Sequence, residues 1–243
     1  MRDYKAETEK RVDFIKNILN SAGMDGVVFG NSGGKDSALA GILCKAACKN
    51  TIGLIMPCGS KRNYEEDRRD AETLAKQFDI QTRFIDLSGA RNELIRVIGE
   101  TVNLKDSAVI NIAPRLRMNA LYAVAASEKA LVAGTGNLSE RYMGYFTKWG
   151  DGACDFNPIA DLTVGEIYEF LRYLGAPESI ITKAPSAGLF DNQTDESEMG
   201  ITYRSIDDFL LNGTVNEHDR AIIEKFHKTS HHKRKMPETF GQI

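Results

Sequence analysis

Gly26-Val27-Val28-Phe29-Gly30-Asn31-Ser32-Gly33-Gly34-Lys35-Asp36-Ser37 passes from a short apolar, β-branched run into a turn of small and polar residues. The first five residues read as a strand buried on both faces, because a strand with one wet face would alternate apolar with polar side chains. Ala38 to Lys49 reads as the helix that follows. Strand, glycine turn and helix in that order open a parallel α/β unit. In such a sheet, ligands bind beyond the carboxyl ends of the strands. Small residues there let backbone N–H groups converge on an anion, and the helix N-terminus adds its positive dipole end. Phosphate is the natural guest.

The same grammar repeats outward from this segment. Val12, Ile15, Ile18, Leu19 and Ala22 recur at helical spacing, so a first helix is expected from Asp3 to Ser21, with Gly23 as its C-cap. Downstream, Thr51 to Met56 is a second buried strand, stopped by Pro57. Glu65 to Phe78 is helical, Thr82 to Ile85 a third strand, and Ala90 to Gly99 a helix. A long helix runs from Pro114, placed at N1, to Lys129, and Ala130 to Ala133 is a fourth strand. Alternating strands and helices predict an open parallel sheet of about five strands flanked by helices, with right-handed crossovers. Beyond Gly134, glycines break a long polar stretch and helices dominate, giving a helical C-terminal third. No repeat or linker divides the chain, so residues 1–243 are expected to form a single domain.

Composition narrows the function classes. The chain has 243 residues, 42% hydrophobic and 27% charged, enough for a sizeable core. With 31 Lys+Arg against 34 Asp+Glu, the net charge of −3 argues against a generic polyanion binder. Four cysteines make no disulfide framework, and Cys44 and Cys48, one helical turn apart, read as core packing. No apolar run suits a membrane span, and the first ten residues are too charged for a signal peptide. A cytoplasmic protein with no membrane or nucleic-acid partner is expected.

Three readings of the glycine turn compete. The kinase-type P-loop fails, because Phe29 stands where its first glycine belongs and Asp36 follows Lys35. Gly30, Ser32 and Gly34 also match the G-x-S-x-G elbow of α/β-hydrolases, with Asp155 and His232 following in the right chain order. Against this, only one helix precedes Gly26, leaving no earlier strand to supply an oxyanion loop. A turn whose glycines serve packing alone leaves Ser32, Asp36 and Ser37 unexplained. After the fourth strand, Gly134-Thr135-Gly136-Asn137-Leu138-Ser139-Glu140 opens onto the same sheet edge. Glu140 is there either a first-turn helix residue favoured by the dipole or a partner of Asp36 around Mg²⁺.

Ser32-Gly33-Gly34-Lys35-Asp36-Ser37 resembles the SGGxDS loop of the ATP pyrophosphatases, which cleave ATP between its α- and β-phosphates to activate a carbonyl or carboxyl group. Several further stretches resemble the NAD synthetase family: Gly144-Tyr145-Phe146-Thr147-Lys148-Trp149-Gly150-Asp151-Gly152, Pro185-Ser186-Ala187, Gln193-Thr194-Asp195-Glu196, residues 203–208 and His232-Lys233-Arg234. The resemblance covers roughly residues 26 to 240. It implies a ligase that converts deamido-NAD, ATP and ammonia into NAD, AMP and pyrophosphate through an acyl-adenylate. It further implies that Gly30, Asn31, Ser32, Gly33, Gly34, Lys35, Asp36 and Ser37 bind ATP together with Thr135 and Ser186. Asp36 and Glu140 would be catalytic, as the ligands of Mg²⁺. Arg115, Lys148, Asp155, His232 and Lys233 would contact deamido-NAD, at sites that lie on a homodimer interface.

Three departures accompany the resemblance. Val164 stands where many members carry an ATP-contacting lysine, Asn31 replaces an apolar residue, and Leu138 is often lysine. Lys35 is the residue expected to meet the phosphate charge that Val164 cannot. No segment remains for the amidase domain that draws ammonia from glutamine, so free ammonia is the expected nitrogen source. Alternatives carried forward are an RNA-modifying ATP pyrophosphatase, a non-catalytic nucleotide sensor and a Ser32 hydrolase. The basic cluster His231 to Lys235 is expected to close over bound phosphates.

Overall fold

A computed structural model describes residues 2–59, 64–183 and 195–241. Four parallel strands form its sheet among the described residues: β1 (Gly26–Gly30), β2 (Thr51–Ile55), β3 (Gln81–Phe84) and β4 (Ala130–Ala133), in the order β3-β2-β1-β4. Their register places Val28 beside Ile52 and Val132, and Phe29 beside Gly53 and Ala133. The order reverses at β1, so the crevice beyond Gly30 and Ala133 is a topological switch point.

Val27, Val28 and Phe29 are all fully buried, because successive side chains meet different helix layers. On one face, Val27 and Phe29 join a core built with α1 (Tyr4–Ala22), α2 (Lys35–Ala47), α3 (Glu66–Gln77), and the later α8 (Val164–Leu174) and α9 (Glu178–Ile181). On the other, Val28, Ile52, Leu54 and Val132 pack on Met118 and Leu121 of α6 (Ile112–Ser127). β3 is a half-exposed edge strand.

Between these come α4 (Ser88–Gly99) and α5 (Asp106–Ile110). The C-terminal third is helical as expected: α7 (Leu138–Met143), then α8 and α9, α10 (Asp195–Met199), α11 (Tyr203–Asn212) and α12 (Glu217–Thr229). Gly23 closes α1 with φ +64°, as its position in the sequence suggested. Several boundaries shift by one to three residues, two of them at helix starts that border the sheet crevice. α2 starts at Lys35, three residues before Ala38, because Gly34 in extended conformation already serves as its N-cap. α6 starts at Ile112, so Pro114 occupies the third helical position, still within the turn whose N–H groups have no intrahelical acceptor.

Candidate active site

The turn after β1 is shaped by one position that only glycine fits and by a set of side-chain hydrogen bonds. Gly33 has φ +74°, and a Cβ there would run into the Asp67 carbonyl oxygen at the start of α3. Asn31 is buried, and its amide donates to the Ala71 carbonyl in α3 (3.0 Å) while its backbone N–H pairs with Leu54 (2.9 Å). The polar side chain at this usually apolar position therefore pins the turn to α3. Ser32 Oγ accepts from the Gly34 N–H (3.3 Å) and lies 3.0 Å from Ser37 Oγ. Gly34 offers no capping side chain, which leaves the first amides of α2 free to meet an anion.

These residues form one wall of a cavity of about 710 Å³, bounded also by Thr135, Glu140 and Lys233. Two carboxylates on it are both hydrogen-bonded by one residue, Asn137, one to its side chain and one to its backbone. Asn137, fully buried, is the N-cap of α7: its side chain accepts from the Glu140 N–H (2.9 Å), and Glu140 Oε2 accepts from the Asn137 N–H (3.2 Å). The same Asn137 donates Nδ2–H to Asp36 Oδ1 (3.0 Å). Glu140 is thus both a first-turn helix residue and a wall of the cavity; the two roles coincide. Burial and the neighbouring Asp36 raise the Glu140 carboxyl well above its ordinary range, partly offset by Lys35. Two carboxylates drawn together against this repulsion have an oxygen donor set, and a charge deficit, that suit a hard divalent cation.

Lys35 Nζ donates to Asp36 Oδ2 (2.7 Å) and lies 5.6 Å from the Tyr203 ring centroid. Val164, by contrast, is a buried N1 residue of α8 packed with Tyr203 and Ile206. Leu138 is the first residue of α7. Opposite, Lys183 Nζ holds Asp67 and Asp70 of α3 at 2.8 Å each, so the helix that supports Gly33 is itself anchored. Asp151 is exposed at the cavity rim, where it accepts from the Thr147 N–H (2.9 Å), and nearby protein atoms raise its carboxyl despite that bond.

The remaining expected residues divide. Lys233 lines the cavity, but its ammonium is held by the Gly144 and Phe146 carbonyls (2.9 Å each). The basic tail is therefore docked onto the glycine stretch; Gly144, at φ +69°, leaves no room for a Cβ against Ser230. Arg115, Lys148, Asp155 and His232 lie outside the cavity wall. Lys148 donates to the His232 carbonyl (2.7 Å), while Asp155 accepts from the Val132 N–H (2.7 Å) and from Tyr122 (3.3 Å). Asp155 and His232 do not converge on Ser32, so the triad needed by the hydrolase reading is not assembled. Ser186 lies outside the described residues, as do residues 185–187 and 193–194 of the quoted stretches. Cys44 and Cys48 are free thiols packed in or against the α1–α2 core.

Sequence reasoning missed Asn137, Lys183 and Asp67. Asn137 had a readable signal, since Asn-x-x-Glu before a helix is a capping-box pattern. The Lys183 pairing spans more than 110 residues of sequence and had none.

Comparison with known proteins agrees with this geometry. The NAD synthase family model matches residues 7–237. The NH(3)-dependent NAD(+) synthetase of Carboxydothermus hydrogenoformans is 42% identical over 239 residues, covering 97% of each chain. Among solved structures, the NMN synthetase of Francisella tularensis superposes with a TM-score of 0.93 at 37% identity and full coverage of both chains. The NH3-dependent NAD synthetase of Campylobacter jejuni gives 0.79 at 33% identity, covering 99% of this chain and 100% of the other. A phosphate-suited turn and a paired-carboxylate cavity on a parallel sheet, matched over nearly the whole length, place this chain in the NAD synthase family.

Proposed function

We propose that this protein is an ammonia-dependent ligase that amidates the nicotinate carboxylate of deamido-NAD, converting ATP to AMP and pyrophosphate. The observation that carries the reading is that Asp36 and Glu140, linked through Asn137, line the same cavity as the glycine turn, in a chain of this family. On this reading a single domain holds the turn from Gly30 to Ser37 and Thr135 around the polyphosphate, joined by Ser186. Backbone amides and the α2 N-terminus neutralise charge without needing to reorganise. Asp36 and Glu140 would hold Mg²⁺, with the remaining oxygen positions left to phosphate and water. Bound there, the ion would offset the repulsion between an incoming carboxylate and the triphosphate.

The chemistry balances in two displacements. A nicotinate oxygen attacks the α-phosphorus and pyrophosphate leaves; the ammonia nitrogen then attacks the acyl carbon, loses a proton, and AMP leaves. The protein's part is positioning and charge neutralisation.

Arg115, Lys148, Asp155 and His232 are assigned to deamido-NAD with Lys233, although they lie outside the cavity of one chain. A homodimer belongs to this reading, because a second copy would enclose these outward-facing residues. α4 has no buried residue and presents Leu94 and Val97 to solvent, an apolar face suited to a copy of itself. Among the described residues no helix is long and apolar enough to cross a membrane.

The test is product analysis by mass spectrometry with ATP, Mg²⁺ and deamido-NAD, with and without ammonium. AMP together with NAD, formed only with ammonium, is expected. AMP without NAD would point to another acceptor, and no ATP cleavage would overturn the reading. A second reading follows from the full-length match to an NMN synthetase at TM-score 0.93. The same carboxylate chemistry would then act on nicotinate mononucleotide, and the ratio of kcat/KM for the two substrates decides between them.

A further inference from the structure

Lys35 is an anomaly on electrostatic grounds. It is the first residue of α2, where the helix dipole repels a cation, and it is 6% exposed, where burial penalises its charge. What offsets both costs is the carboxylate pair. Its ammonium sits 2.7 Å from Asp36 Oδ2, while the other Asp36 oxygen is taken by Asn137 at 3.0 Å. The Glu140 carboxyl, itself pushed up by burial and by Asp36, also favours the charged form of this ammonium. Lys35 therefore already supplies a positive charge to Asp36, one of the two proposed ligands of a divalent cation, and it uses the carboxylate oxygen Asn137 leaves over.

We propose that Lys35 is a resident counter-cation of the Asp36–Glu140 pair, displaced from Asp36 Oδ2 when the metal-bearing nucleotide enters and transferred to its polyphosphate. This rests on the reading of Asp36 and Glu140 as the metal site. A lysine suits this role because it is a compact point charge on a flexible four-carbon stem. Ser32, Gly34 and Lys35 share one cavity wall, so the stem can swing from carboxylate to phosphate without leaving the site. In the empty protein it keeps two mutually repelling carboxylates in place. It also makes free metal a poor ligand, so metal binds well only with the nucleotide that gives Lys35 a new partner.

The test uses Mn²⁺ as probe, read by the loss of its free electron paramagnetic resonance signal, with and without the non-cleavable analogue α,β-methylene-ATP. Lys35→Met keeps the stem and removes the charge; Lys35→Arg keeps the charge. Lys35→Met is expected to bind Mn²⁺ alone at least about tenfold tighter than the wild type, the removal of one nearby buried charge, and to bind the analogue about tenfold more weakly. Lys35→Arg should keep weak binding of free Mn²⁺, which guards against a folding defect in the methionine variant. Unchanged or weaker binding of free Mn²⁺ by Lys35→Met, with Asp36→Asn abolishing binding of Mn²⁺ with the analogue, would overturn the Lys35 role alone. Equal binding of Mn²⁺ with the analogue by wild type and Asp36→Asn would instead overturn the metal site, and the Lys35 role with it.

Discussion

Gly33 and Asn137 show how much of the site depends on single atoms. Gly33 takes a left-handed conformation against the Asp67 carbonyl. For Gly33→Ala the backbone term alone costs about 1–2 kcal/mol. We expect the melting temperature to fall by about 2–8 °C and the KM for ATP to rise, both read on the purified variant by calorimetry and steady-state kinetics. Asn137→Ser separates two duties of one side chain. Serine still caps α7 but cannot reach Asp36, so the melting temperature should move little while kcat drops about tenfold or more, the value of a hydrogen bond to a charged group. A large loss of stability with normal kcat would make Asn137 structural only. The glycine turn and Asp36 were legible because their spacing is local. The Asn137 amide that ties Asp36 to the start of α7 was not, since Asn137 and Asp36 lie 101 positions apart.

Among the elements, α1 is clipped to the α7–α8 region by charge rather than by apolar packing alone. Arg11, 8% exposed, donates to both Asp161 carboxylate oxygens (2.7 and 2.9 Å) and to the Pro158 carbonyl, and Arg2 reaches Asp161 at 3.1 Å. Partial burial works against the Asp161 charge, but these guanidinium groups win and hold its carboxyl below the ordinary value. A depressed acid binds fewer protons folded than unfolded, so it adds stability above its unfolded pKa and loses it as pH falls through the folded one. Asp161→Asn should therefore be less stable than wild type at about pH 7, the gap narrowing below about pH 4 in urea titrations. A constant gap would mean that shape, not charge, is what matters. Helix periodicity located α1, yet it could not show this clip, whose partners lie 150 residues away. Conversely, α2 began earlier than expected because a glycine N-cap leaves no side-chain signal to read.

At the scale of the whole molecule, the cavity of one chain is lined by Gly30–Ser32, Gly34–Ser37 and Thr135 but leaves Arg115, Lys148, Asp155 and His232 outside its wall. Leu94→Glu combined with Val97→Glu places charges on the exposed face of α4 without touching a buried residue. In sedimentation velocity we expect a dimeric wild type and a monomeric variant. The KM for deamido-NAD should rise about tenfold or more while the KM for ATP changes less, as for loss of a central interface patch. A wild-type monomer would remove the dimer from the proposed function. Order and type of the elements, the position of β1 and its turn, and the chemistry of that turn were written in local residue patterns, because strand burial, helix periodicity and glycine conformation act over a few neighbours. The sheet order, the Asn137 amide that ties Asp36 to the start of α7, the seating of Lys35 on Asp36 and the docking of the basic tail onto Gly144 came only with the folded chain. Each requires groups far apart in sequence to share a low-dielectric space, and no local pattern encodes which distant charges will meet there.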